Sequence, residues 1–126
     1  MTVEETLTIL KTDKLLNELL EASVMDPKIY LNDTTSRDNS ITYKYIPLIN
    51  DAIKMQSRLE IDCISSNYEK GMQILTRVQK LLLTTGDAPL TNNLIEITQN
   101  GGGYVFDKDI KIHKFKAIFN LKERMR

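Results

Sequence analysis

Residues that commonly carry out chemistry are scarce in this sequence, which has one histidine, His113, and one cysteine, Cys63. A single cysteine excludes an internal disulfide and the cysteine-based zinc and iron–sulfur sites, which need several thiolates. His113 could serve as a general base, but it lies on the apolar side of a predicted strand, and no motif places a nucleophile for it. We expect a packed or partner-facing imidazole. Cys63 follows Leu59 and Ile61 on a predicted core face, so we expect a buried apolar thiol.

Two further groups could support catalysis or ligand binding. Glu60 and Asp62 lie on one face of a predicted strand, roughly 7 Å apart, a separation that suits paired carboxylates in some glycosidases. No third polar partner accompanies them, so we interpret them as a solvated strand face. The run Asn100-Gly-Gly-Gly103 could cradle a phosphate, but no Gly-Lys-Ser/Thr follows, and we predict a hairpin turn. The sequence predicts no catalytic, cofactor-binding or metal-binding residue, and we expect a protein that is not an enzyme.

The composition is that of an ordinary soluble domain. The chain has 126 residues, 41% hydrophobic and 27% charged, and a chain of this length can hold a core of its own. We expect one domain over residues 1–126. No apolar run approaches the length of a membrane span, and the first residues are acidic where a secretory signal would be basic. We therefore expect synthesis in a reducing cytoplasm and no membrane partner.

The charge is balanced overall but divided between the ends of the chain. Residues 1–40 carry four basic and eight acidic side chains, a net of −4, whereas residues 107–126 carry seven basic and three acidic ones, a net of +4. Three interpretations stay open. The opposite charges could neutralise each other inside the fold, or the acidic end of one subunit could meet the basic end of the next. The basic end could also hold nucleic-acid phosphates, although no aromatic platforms alternate with its lysines on the same face.

The first half of the chain predicts helix followed by strands. A capping box over residues 2–5 begins a helix, and a second cap at Thr12-Asp13 predicts either a kink or two short helices, ending before Asp26-Pro27. A short strand over residues 28–31 precedes a polar loop over residues 32–40, which exceeds the usual length of about 4–6 residues. The strand over residues 42–49 contains Pro47, which predicts an edge position or a bulge, and a loop over residues 50–57 follows.

The second half predicts a strand, a helix and further strands. Residues 58–65 alternate as a half-buried strand, and a capping box over residues 66–69 begins a helix over residues 67–84. Strands follow over residues 94–99, 104–106 and 112–122. This order predicts an α+β fold in which two main helices pack on one face of a mostly antiparallel sheet.

The element order resembles that of a known family. The strand Arg58-Leu-Glu-Ile-Asp-Cys-Ile-Ser65 runs directly into a helix with Gly71 and an apolar stripe, after an N-terminal helix and the segment Asp26-Pro-Lys-Ile-Tyr30. With the closing strand from His113 to Phe119, this pattern resembles the tail terminator or tail completion proteins, which join head to tail in long-tailed bacteriophages and prophages. Gly71 stands where such proteins often have alanine. Glycine costs a helix about 1 kcal/mol, so we expect close packing at this position.

The resemblance implies a structural subunit of the virion at the junction of tail and head. Such proteins form a ring, commonly a hexamer, that caps the head-proximal end of the tail tube and joins it to the head connector protein, while DNA only passes through the lumen. The implied partners are further copies of the chain, the tail tube protein and the head connector protein. We expect the loops to make these contacts, through Asn32, Thr34, Arg37, Asp38, Asp51, Lys54 and Met55. We expect a basic interface formed by Lys111, Lys114, Lys116 and Lys122.

Two alternatives stay open. One is a nucleic-acid-binding or regulatory module that uses the basic C-terminal end. The other is a different head–tail joining or minor capsid protein of a phage, which this sequence does not separate from a tail terminator.

Overall fold

Two short helices open the chain, and Asp13 sets the boundary between them. The structure, a computed structural model, describes residues 2–21, 28–31, 39–50, 54–83 and 94–124. Helix α1 spans Thr2–Thr12 and helix α2 spans Lys14–Leu20. The Asp13 carboxylate accepts a hydrogen bond from the Leu16 amide at 2.9 Å, so the predicted second cap is confirmed. The helix ends earlier than expected, because Glu21 adopts a left-handed conformation with φ 56°.

Five strands form one sheet in the order β1-β2-β3-β5-β4. Their bounds are Ile29–Leu31 for β1, Ser40–Asn50 for β2, Lys54–Ser65 for β3, Leu94–Asp107 for β4 and Ile112–Arg124 for β5. Strands β1 and β2 are parallel, and every other pair is antiparallel. A third helix, α3, spans Tyr68–Leu82 between β3 and β4. The predicted α+β fold with a mostly antiparallel sheet is therefore confirmed.

The core lies between the helices and one face of the sheet. Strands β3 and β5 pair Leu59 with Phe119 and Ile61 with Ala117, and all four side chains are fully buried. Directly paired residues point to the same face, so alternate residues of both strands face the helices. Helix α3 contributes the buried stripe Ile74, Val78 and Leu82 to the same cluster. We call the face of the sheet that packs against the helices the helix side, and the opposite face the outer face.

Helix α3 begins at Tyr68, one residue later than predicted. Asn67, not Ser66, is the N-cap, and its side-chain oxygen accepts from the Lys70 amide at 3.1 Å. The hydroxyl of buried Ser65 accepts from the Asn67 amide at 3.1 Å and donates to Asn39 Oδ1 at 2.8 Å. This anchor orients Asn67 for capping, and asparagine caps a helix as well as serine does.

The glycine run forms a bulge and not the predicted hairpin turn. Strand β4 continues through it, with a shift of register against β5 between Gln99 and Gly102. Gly101 has φ +125°, a conformation that glycine adopts without strain. The chain reverses later, after Asp107, whose Oδ1 accepts from the Asp109 amide at 3.0 Å. The prediction was wrong because the positive φ that Gly101 adopts suits a bulge as well as a reversal.

Strands β2 and β3 are longer than expected. The register of β2 against β3 shifts between Pro47 and Ile49, which confirms the bulge predicted from the proline. Strand β3 begins at Lys54, four residues before the predicted start. Lys54 and Met55 therefore lie in a strand and not in a loop, because pairing with β5 continues to Arg124 and carries β3 with it.

Candidate assembly surfaces

Acidic residues at the two ends of α2 form ion pairs with basic residues of α3. Asp13 holds Arg77 through two contacts, Nε to Oδ2 at 2.9 Å and Nη2 to Oδ1 at 2.7 Å. The hydrogen bond from Arg77, with that from the Leu16 amide, keeps the pKa of Asp13 below its ordinary value. Glu21, which ends α2, pairs with Lys70 at 2.8 Å. Part of the acidic excess is thus matched by bases in the middle of the chain.

A second set of ion pairs lies on the outer face of the sheet. Lys116 Nζ approaches Glu60 at 3.4 Å and Asp62 at 3.9 Å, and Arg58 approaches Glu60 at 3.9 Å. Burial raises the pKa of Asp62, and the charges of Lys116 and Lys114 only partly oppose this. The two carboxylates considered as a catalytic pair therefore share a lysine. In these described ion pairs, the acidic residues near the N-terminus and Lys116 near the C-terminus are matched by opposite charges from the middle of the chain.

The predicted basic interface is divided between a strand and a turn. Lys114, Lys116 and Lys122 share the outer face of β5, whereas Lys111 lies in the turn before it, with φ 54°. The charge of Lys116 is met by the two carboxylates beside it. The structure places the three strand lysines on one face, with Lys122 about 20 Å along β5 from Lys116, and leaves Lys111 at the end of the sheet.

The predicted contact loops lie largely outside the described residues. Those outside are Asn32, Thr34, Arg37, Asp38 and Asp51. The other two predicted contacts, Lys54 and Met55, lie at the start of β3, as given above.

An exposed aromatic cluster at the turn end of β4 and β5 was not predicted. It consists of five rings: Tyr68, Tyr104, Phe106, His113 and Phe115. Tyr104 stacks on Phe115 at 4.8 Å between ring centroids, and Tyr68 contacts both of these rings edge-on. His113 lies 4.6 Å from Phe106, and its Nδ1 shares a hydrogen bond of 2.5 Å with the Tyr104 hydroxyl.

The aromatic cluster is well exposed for its composition. Tyr68 exposes 50% of its surface, and Tyr104 and Phe106 each expose 42%. Contiguous exposed aromatic groups mark interaction surfaces in many proteins. The sequence does contain a signal, since Tyr104 and Phe106 alternate along one strand as His113 and Phe115 do along the next, and the register pairs Tyr104 with Phe115 and Phe106 with His113. That signal was hidden because the glycine run was interpreted as the reversal.

A groove of about 500 Å³ separates α2 from α3. Leu15 and Leu19 line it from α2, and Met72 and Lys80 line it from α3. Leu15 exposes 47% of its surface and Met72 39%, so the helical layer presents apolar side chains on its outside.

The described residues include few groups that could carry out chemistry. Cys63 is fully buried, and burial raises the pKa of its thiol, so the thiol stays protonated at neutral pH. Within the described ranges, no three His, Cys, Asp or Glu side chains are grouped so as to hold a metal ion. None of the described helices is long and apolar enough to cross a membrane.

Comparison with known proteins identifies the fold. No protein-family model matches this sequence, and no curated protein matches it. A chain in the solved structure described as "Virion of native gene transfer agent (GTA) particle" is similar to this one, with a TM-score of 0.69 and 10% sequence identity. The similarity covers 95% of this chain and 92% of that chain. At this identity the comparison establishes a shared fold over nearly the whole length of both chains.

Proposed function

We propose that this protein is a structural subunit of a phage or prophage virion, and that it forms a ring on the head-proximal end of the tail tube. The observation that carries the proposal is the fold shared with a chain of a gene transfer agent virion over 95% of the sequence. The element order, which resembles tail terminator proteins, supports the same assignment independently. In this role the ring stops polymerisation of the tube and joins it to the head connector.

The described surfaces are consistent with a subunit that has several neighbours. A cyclic ring needs two different faces on each subunit, one for the preceding and one for the following copy. The aromatic cluster and the groove between α2 and α3 lie on the helix side of the sheet, and the outer face of the sheet lies opposite them. The contacts that we propose for the tube and the connector are the residues expected from the sequence: Asn32, Thr34, Arg37, Asp38, Asp51, Lys54 and Met55, with Lys111, Lys114, Lys116 and Lys122.

The proposal is tested by measuring molar mass with size-exclusion chromatography and light scattering, across a series of protein and salt concentrations. We expect a mass that is a fixed multiple of the 14.5 kDa chain, either for the protein alone or on addition of the tail tube protein of the same phage or prophage. A chain that stays monomeric under all these conditions, with and without the tube protein, contradicts the proposal.

A DNA-binding assay separates this function from the nucleic-acid-binding alternative. A nucleic-acid-binding module that uses the basic C-terminal end would shift duplex or single-stranded DNA at low salt and lose affinity steeply as salt rises. The lysines of β5 share their outer face with Glu60 and Asp62, so we expect no such shift. Tight, salt-sensitive binding by a monomer would favour the alternative.

A further inference from the structure

The sheet has two different edges, and each leaves one side of a strand without a described neighbour. Strand β1, of three residues, forms one edge, and the long strand β4 forms the other. Every described side chain of β4 from Thr98 to Phe106 is exposed. An uncovered strand edge presents backbone N–H and C=O groups that can pair with another strand.

Both edges carry exposed apolar side chains on the same side of the sheet. Leu31 of β1 exposes 59% of its surface and pairs with Tyr43, which faces the helices. Tyr104 and Phe106 of β4 pair with Phe115 and His113, which also face the helices. If one copy were set beside another with their sheets continuous, these apolar groups would lie on one common face.

The strand directions of the two edges also match, and their levels agree to within two residues. Following the pairs across the sheet, β1 and β4 run in opposite directions, because one parallel and three antiparallel steps separate them. The same pairs place Leu31 level with Tyr43, Ile61, Ala117 and Gly102. Leu31 of a neighbouring copy would therefore reach β4 within two residues of Tyr104.

We infer that the edge strand β4 of one subunit pairs antiparallel with β1 of the next, so that the sheet continues from copy to copy around the ring. Leu31 then lies opposite Tyr104, and Ile29 opposite Phe106. A shift by one residue would move Leu31 opposite Val105, whose side chain points to the outer face. This inference rests on the proposed function, since it names the contact that builds the ring.

The size of this contact suits an assembly built from repeated interfaces. The exposed parts of Leu31, Tyr104, Phe106 and Tyr68 together amount to a few hundred Å², the scale of a functional apolar patch. Pairing the strand backbones adds hydrogen bonds and further buried area. Each subunit of a ring makes the contact twice, once through each edge. If β4 instead paired with β4 of a second copy, the two copies would be related by a two-fold axis and assembly would end at a dimer.

Cysteine cross-linking tests this register directly. Residues directly opposite in antiparallel strands have the Cα separation that a disulfide requires. We expect Leu31→Cys with Tyr104→Cys in one chain to give a ladder of cross-linked oligomers under mild oxidation with copper phenanthroline, reversed by reductant. Leu31→Cys with Val105→Cys is the matched control, because residue 105 lies on the same edge but points to the opposite face. We expect at most a trace of ladder from this control, and Cys63 is buried in both proteins.

The outcomes separate the inference from the proposed function. Equal ladders from both pairs, or no ladder from a protein that light scattering shows to be a ring, would overturn the edge pairing and leave the ring intact. Dimers from Tyr104→Cys alone would indicate two-fold pairing of β4 and would also overturn it. A monomer at every concentration, with and without tube protein, overturns both. Retained far-UV circular dichroism and cooperative melting identify the folded variants.

A second substitution keeps the test valid if the cysteine variants fold poorly. We expect Leu31→Lys to abolish the ring and leave the melting temperature of the subunit unchanged, since the side chain is 59% exposed. Ile110→Lys, at an isoleucine that is 44% exposed in the turn between β4 and β5, beyond the paired residues, is the control and should retain the ring. Loss of the ring in both variants, or in neither, contradicts the edge pairing.

Discussion

Phe115 occupies the space that a side chain at position 71 would need. A Cβ atom built on Gly71 would lie 2.6 Å from Phe115 Cε2 and 2.9 Å from Cδ2. The ring cannot easily move aside, because Tyr104 stacks on it and Tyr68 contacts it edge-on. The close packing expected from a glycine inside a helix is therefore confirmed, and it couples α3 to the aromatic cluster.

This contact predicts the effect of Gly71→Ala. Overpacking of this kind costs about 1–3 kcal/mol, against a gain of about 1 kcal/mol from removing glycine from a helix. We expect a net loss of roughly 1 kcal/mol in the free energy of unfolding, measured with urea. Phe115→Leu should remove the clash, so the double mutant should be more stable than the sum of the single effects. Additive effects would contradict the packing argument.

Asp62 predicts a pH dependence of stability on the outer face of the sheet. Its pKa is raised in the folded protein from the ordinary value of 3.8, mainly by burial, so the folded state binds a proton more readily than the unfolded chain. The ionised carboxylate therefore destabilises the fold at neutral pH, and this penalty disappears as the pH falls through the folded pKa towards 3.8. We expect Asp62→Asn to be more stable than the natural protein at pH 7.

The test compares urea midpoints of the two proteins at pH 7, 5 and 4. The advantage of Asp62→Asn should shrink steadily towards the lowest pH. A difference that is constant with pH would show that folding does not shift the pKa of Asp62, and a variant that is less stable at pH 7 would show that the ion pair with Lys116 outweighs the burial of the carboxylate.

At the scale of elements, the sequence predicted helices and strands well where periodicity or a cap was decisive. The alternation of Leu59, Ile61 and Cys63 fixed the buried face of β3, and Asp13 fixed the start of α2. The failures are at glycines and at strand ends. We assigned the glycine run to a turn because the sequence nearby does not reveal that β4 pairs with β5 on both sides of the run. The aromatic cluster depends on that same pairing and was missed with it.

The bulge predicts different effects at two adjacent glycines of β4. A Cβ atom at Gly102 would lie 2.6 Å from the backbone oxygen of Lys116, whereas one at Gly103 would meet no atom within 4 Å. We expect Gly102→Ala to cost about 2 kcal/mol, because the backbones of β4 and β5 must separate. Gly103→Ala should stay within about 0.5 kcal/mol of the natural protein. Chemical denaturation of both variants is the measurement, and equal effects would contradict the observed bulge.

At the scale of the whole molecule, zero net charge conceals an ordered distribution. The acidic N-terminal end is fastened to α3 through Asp13 and Glu21, and the basic C-terminal end meets Glu60 and Asp62 through Lys116. These pairs use part of the charge inside one chain. We therefore propose that copies meet at the apolar edges of the sheet and not by a simple meeting of opposite charges. We expect the ring to survive moderate salt, because screening weakens exposed ion pairs far more than apolar contacts.

Capping of a tail tube is the function that we propose for this protein. The most direct measurement is electron microscopy of tubes assembled from the tail tube protein of the same phage or prophage, with and without this chain at equal concentration. We predict tubes that stop elongating and carry a ring at one end. Tubes that elongate equally in both samples and carry no ring at either end would contradict the account.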